Sequence, residues 1–212
     1  MAAFDNFQQT IERAKKLIEI HKNLSPHGKP KAEHADILRS AVVISVSAMD
    51  GYFHEKIPEN VARLVRAKKG RQLPGKLVQT IKEQATHDKL IEILFEERPT
   101  AHITSMIRKS MKDRTYQDPS KIDEIIKILG LDDVWFKLSQ KLKTSKDKSK
   151  SLVQGYVNRR HQIVHRGDYG QSMKTKNKLK NISRRYTVRC VNDISRFIKA
   201  IDQLVEAALE KN

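Results

Sequence analysis

An all-α bundle is the fold this sequence predicts, on three observations. Apolar residues return at three- and four-residue intervals along most of the chain, the period of a helix with one buried face. No stretch keeps the two-residue alternation of a half-buried strand, and no repeat is evident. Prolines, glycines and capping residues fall at helix-length intervals and divide the periodic stretches.

Ile11, Ala14, Leu17, Ile18 and Leu24 mark the first helix, ended by Ser25-Pro26-His27-Gly28-Lys29-Pro30. The next segment runs from about Ala32 to Ile57. Its centre, Val42 to Met49, is apolar nearly all round and β-branched, so taken alone it also passes for a strand. Its unbroken length, with Ile37, Leu38, Ala41, Ile44, Ala48 and Tyr52 near helical spacing, favours a buried central helix. Pro58 is read as the first position of a new helix carrying Val61, Leu64 and Val65. Gly70 and Pro74-Gly75 punctuate, and one helix is expected over about Lys76 to Glu97. Ile103, Met106, Ile107 and Met111 mark a short helix. Asp118-Pro119 supplies a cap and a fixed φ for the next, which Gly130 closes. Asp132 or Asp133 opens a helix burying Val134, Trp135, Leu138 and Leu142, with Trp135 read as core rather than as a base-stacking platform. Ser145 to Ser151 reads as a Lys/Ser-rich hinge, Leu152 to His165 as a helix, and residues 167 to 186 as a basic, mobile loop. Val188, Val191, Ile194, Ile198, Ile201, Val205 and Ala208 form a long final amphipathic helix.

The 212 residues suit one domain over 1–212, with roughly residues 70–145 as a helical insertion. Lys and Arg outnumber Asp and Glu by 42 to 25, a formal charge of +17 that attracts polyanions. Nucleic acid is the first candidate partner and an anionic membrane the second. Against the membrane, no apolar run approaches the ~20 residues that span a bilayer. The start of the chain lacks the basic opening and apolar centre of a secretory signal. The single cysteine, Cys190, excludes an internal disulfide, fits a reducing cytoplasm, and sits in an apolar-periodic helix as a small hydrophobe. Aromatics make up only 6% of the chain, so extensive base stacking and strong sequence preference are not expected.

The most informative stretch is Arg159-Arg160-His161-Gln162-Ile163-Val164-His165-Arg166-Gly167-Asp168. A guanidinium stays charged and grips phosphate oxygens through a planar fork. An imidazole exchanges protons near neutrality. Together they suit metal-free cleavage of a phosphodiester, while the bland reading is a solvated basic helix end. Arg160 and His165 lie five positions apart, about 140° around a helix, so Arg160 must reach across to meet His165. His161 and His165 are four apart and share a face. That same pair invites a zinc reading, with a third ligand from Asp168, His27 or His34. Without an intervening Glu or a nearby cysteine, zinc is not expected, and no cofactor is.

The spacing resembles the Arg-x4–6-His signature of HEPN-domain ribonucleases. The lead-in Tyr156-Val157-Asn158-Arg159-Arg160 and the Gly-Asp exit are similar too, and Asp36 to Phe53 looks like the long second helix of the RiboL-PSP-HEPN branch. The resemblance covers about residues 34–57 and 152–209. It implies a HEPN-like helical bundle and a metal-independent endoribonuclease cleaving single-stranded or loop RNA through 2′-hydroxyl attack. Arg160, His165 and His161 are the implied catalytic residues. A two-fold homodimer is implied as well, and a role as toxin or phage-defence effector with an antitoxin or defence partner. Asp50 resembles the acidic position that HEPN nucleases place near the motif, against a reading as a solvent-facing residue before Gly51. Arg39, eleven residues earlier, shares the face of Asp50, and Asp168 completes the supporting candidates. Arg159 and Arg166, with Lys174, Lys176, Lys178, Lys180, Arg184 and Arg185, are expected to neutralise RNA phosphates. A merely solubilising loop is the competing reading of the lysine run. The rival function is a non-catalytic HEPN module binding RNA, a nucleotide or a partner protein. A basic DNA-binding helical protein is a third, without helix-turn-helix spacing to support it.

Overall fold

The computed structural model describes residues 2–26, 31–67, 72–170, 172, 175 and 178–210. Among them are nine α-helices, one 3₁₀ turn and no strand beyond an isolated bridge between Tyr169 and Leu179. The helices are α1 (Ala2–Leu24), α2 (Ala32–Ala67), α3 (Gly75–Gln84), α4 (His87–Leu94), α5 (Pro99–Met111), α6 (Pro119–Ile126), α7 (Val134–Leu142), α8 (Lys146–Arg166) and α9 (Arg184–Glu210).

The central helix α2 is longer than its sequence suggests. It runs 36 residues straight through Pro58. Proline lacks the N–H that would bond the His54 carbonyl, a loss tertiary packing can absorb. Ile57 and Val61 on either side are fully buried, and that burial holds the helix together across the proline. The Val42–Met49 stretch is helical, with Val42, Val46 and Met49 at 0% exposure. Conversely, the helix expected over Lys76 to Glu97 is two. Ala85 is extended, and the Thr86 hydroxyl accepts from the Lys89 N–H to start α4 afresh. The expected hinge at Ser145 to Ser151 is instead the opening of α8, capped by the Ser145 hydroxyl accepting from the Lys148 N–H. Asp118 caps α6 as expected, and Gly130 closes the 3₁₀ turn at φ 75°.

One apolar core joins Phe7 and Ile11 of α1, Leu38 and Phe53 of α2, and Ile194, Ile198 and Ile201 of α9. It continues through Leu77, Ile107, Ile122 and Leu138 in the middle helices. Trp135 belongs to it, stacked on Phe197 at 5.6 Å with its indole N–H donating to the Pro119 carbonyl. Cys190 is fully buried, and burial pushes its thiol pKa upward, away from nucleophilic use. Lys56, also fully buried, ties α2 to α9 through Asp202 at 2.7 Å and Glu206 at 2.6 Å. No helix among the described residues is long and apolar enough to cross a membrane.

Candidate functional site

Four chain segments converge where α8 ends: the start of α2, the last turn of α8, the connection to α9, and the end of α1. The helix terminates because Gly167 adopts a left-handed conformation, φ 56°, and the N–H groups of Gly167 and Asp168 both turn back to the Gln162 carbonyl. A Cβ on Gly167 would stand 3.3 Å from the Tyr169 ring. Asp168 follows at φ 63°, tolerable for Asp because its short polar side chain can bond locally.

That side chain is fully buried between two guanidinium groups. Oδ2 accepts from Arg39 Nε on α2 and from Arg159 Nη2 on α8, each at 2.7 Å. Arg159 Nη1 lies 2.7 Å from Oδ1 as an ion-pair contact not aligned for a hydrogen bond. Arg39 also donates to Asp36 at 3.0 Å and to the Lys180 carbonyl at 2.9 Å. Lys180 in turn donates its N–H to the Asp168 carbonyl at 2.8 Å and its ammonium to Gln162 Oε1 at 2.8 Å. The connection expected to be mobile is therefore tied down at both ends, with Gly170 N–H bonded to the Lys178 carbonyl as well.

On the outer side of α8 stand the residues of the motif. Arg160 reaches across the helix, and its Nη1 lies 3.5 Å from His165 Nε2, the outer limit of a hydrogen bond. Arg160 Nε is buried without an acceptor, and Nη2, which has no partner among the described residues, is the donor left for a ligand. The rings of His161 and His165 stack, 5.2 Å between centroids and 27° between planes. Partial desolvation at the helix surface, then the Arg160 charge, then His165 lower the pKa of His161, which favours its neutral form at neutral pH. His161, His165 and Arg166 are exposed.

The structure separates other expected members. Asp50 is far from the motif and holds the middle segment, accepting from the Tyr116 N–H and from Gln117 at 3.2 Å. Its shared face with Arg39 was a true azimuth, but eleven residues also rise about 16 Å along the helix, which removes it from the site. Arg159 points inward to Asp168 instead of toward solvent. Arg184 donates to the Ser25 carbonyl and to His21 Nδ1, closing the end of α1 onto α9. Lys178 and Arg185 are exposed, whereas the ammonium of Lys180 is spent on Gln162. Lys174, Lys176 and His27 lie outside the described residues. His34 bonds Ser25 at 2.7 Å, and no group of three potential metal ligands forms among the described residues. Sequence reasoning missed Gln162, whose uncharged side chain gives no signal until Lys180 is brought 18 positions back to it.

Against known proteins, the sequence model of RiboL-PSP-HEPN matches residues 8–207, nearly the whole chain and including the middle helices. The chain belongs to the RiboL-PSP-HEPN family. Comparison with curated proteins and with solved structures gives no match. Membership in a HEPN family, together with its all-helical fold, supports an RNase-type or RNA-related role for this RiboL-PSP-HEPN chain.

Proposed function

We propose that this protein is a metal-independent endoribonuclease of the HEPN type, acting on single-stranded or loop RNA. The observation that carries the reading is the Arg160–His165 pair at the end of α8, a guanidinium with a free donor, 3.5 Å from an imidazole. The RNA 2′-oxygen attacks phosphorus while the bond to the 5′-oxygen breaks. One imidazole takes the 2′-proton and another supplies a proton to the leaving 5′-oxygen. Arg160 lies against the non-bridging oxygens and stabilises the charge gathered there in the transition state. His161, favoured in its neutral form, suits the base, and the acid on the opposite side of the phosphorus is the His165 of a second copy. The products are a 2′,3′-cyclic phosphate and a 5′-hydroxyl.

The open setting of His161, His165 and Arg166 also suits a non-catalytic RNA-binding module, and a second copy closing over the motif suits an enzyme. A two-fold homodimer placing two α8 ends together is part of the proposal. A toxin or phage-defence role, with a cognate antitoxin, fits the same chemistry. The deciving measurement is cleavage of a single-stranded RNA in EDTA by the wild type and by His165→Ala. Wild-type activity is expected to persist, to leave cyclic phosphate ends and to fail on RNA with its 2′-oxygens methylated. His165→Ala should lose about 10²–10⁴-fold, the usual contribution of a proton-transfer group. Magnesium-dependent cleavage leaving 5′-phosphates, or an unimpaired His165→Ala, would overturn the enzyme.

A further inference from the structure

The solvent face of α9 carries a row of cations that the motif does not use. Arg185, Arg189, Arg196 and Lys199, with Asn192 between them, are all exposed. Their spacing of four, three, four and three places the five within an arc of about 80° and along about 21 Å of helix. None of the four cations has an ion pair or hydrogen bond among the described residues. No carboxylate falls on that arc between Arg185 and Gln203, which follows on the same line. Three of the four acids of α9 are used elsewhere: Asp193 accepts from the Tyr156 hydroxyl at 2.7 Å, while Asp202 and Glu206 hold Lys56; the fourth, Glu210, comes only in the last turn, beyond the row. A solubilising surface usually mixes charges of both signs, and like charges at i,i+4 cost stability. On this face the only acid near enough to offset that repulsion is Asp193 at its edge, four residues from Arg189 and three from Arg196.

Its position connects it to the candidate site. Helix α8 runs antiparallel to α9, with Tyr156 meeting Asp193 and Tyr186, and the Arg160 end of α8 lying toward the start of α9. Hollows beside the row share Arg196 and Asp193. One is lined by Arg185, Val188, Arg189 and Asn192; the other, about 310 Å³, by Lys148, Leu152 and Phe197. We propose that the Arg185–Arg189–Arg196–Lys199 row is a phosphate-tracking surface, which carries the backbone of a single-stranded RNA away from the motif. The proposal rests on the RNA reading of the site and adds where the flanking strand runs. A length of about 21 Å accommodates the shortest single-strand sites, roughly four nucleotides. Contacts to phosphate oxygens carry no base readout, so this surface adds affinity without sequence preference.

The test uses the full chain carrying His165→Ala, so that RNA survives the measurement, and a labelled 12-nucleotide oligouridylate followed by fluorescence anisotropy across a salt series. Adding Arg189→Gln, Arg196→Gln and Lys199→Gln should lower the slope of log affinity against log salt by about 2, since each single-strand phosphate contact contributes about 0.7. A matched triple, Arg108→Gln, Lys109→Gln and Lys112→Gln on the middle helices, should leave the slope nearly unchanged. Circular dichroism checks that both variants fold. Equal slopes in the α9 triple and its parent would overturn the proposal. So would loss of binding to phosphatidylserine vesicles with RNA binding intact, which would make the row a membrane surface. An α9-dependent slope in a chain whose wild type never cleaves RNA would leave this surface standing while the endoribonuclease falls.

Discussion

At the scale of the residue, the informative histidine is His161. Its pKa is lowered by partial desolvation first and by the neighbouring Arg160 and His165 charges next. The sign follows directly: a lowered imidazole pKa extends its neutral form to pH values below the ordinary 6.5. If His161 is the base, the acid limb of the pH–rate profile lies below 6.5. Arg160→Ala removes one cationic neighbour, so NMR titration of His161 in that variant is expected to show its pKa moving upward. An unchanged pKa would mean that the Arg160 charge is not felt at the ring. Arg160 and His165 were legible from their spacing, and their meeting required only a long side chain bending across one helix. The lowered pKa was not legible, because it depends on how much solvent the fold removes.

At the scale of the element, the end of α8 depends on a carboxylate whose side-chain partners are Arg39 and Arg159, not the motif rings. Asp168 joins α2 and α8 through Arg39 and Arg159, and its backbone carbonyl receives the Lys180 N–H just before α9. Asp168→Asn keeps a side chain tolerant of φ 63° but removes the charge between two arginines, one of them nearly fully buried. Breaking a buried pair costs about 3–5 kcal/mol. The expected outcome is a fall of that order in stability by denaturant titration, and proteolysis appearing between residues 167 and 183. Unchanged stability would show that water enters and solvates the arginines in the variant. Arg39→Ala should have a smaller effect, because Arg159 still neutralises Asp168.

At the scale of the whole molecule, one protomer offers a stacked His161–His165 pair on a single side of α8. Acid and base must act on opposite sides of the scissile phosphorus, so a site shared between two copies supplies the geometry better than one helix face does. Mixing inactive Arg160→Ala and His165→Ala chains tests the idea. Partial recovery of activity in the mixture is expected if the guanidinium of one chain serves the imidazole of the other. A fully active monomer at working concentration would exclude the shared site.

Local physics was sufficient for much of this. The helical period, the caps at Asp118 and the stop at Gly130 act within one or two turns, and so does the contact of Arg160 with His165; all could be read along the chain. Errors arose where packing outweighs a local signal. Pro58 suggests a start, but the core on both sides carries α2 through it. The Lys/Ser run suggests a hinge for a different reason: the local cap of Ser145 on the Lys148 N–H, which starts α8, went unread. Partnerships across the fold were beyond reading: Arg39 finds Asp168 across 129 positions, and Asp50 is drawn to Tyr116. Each carboxylate advertises only that it needs a cation or a donor. Which one it receives is fixed when the helices pack, since burying a charge without its partner costs more than the fold can spare.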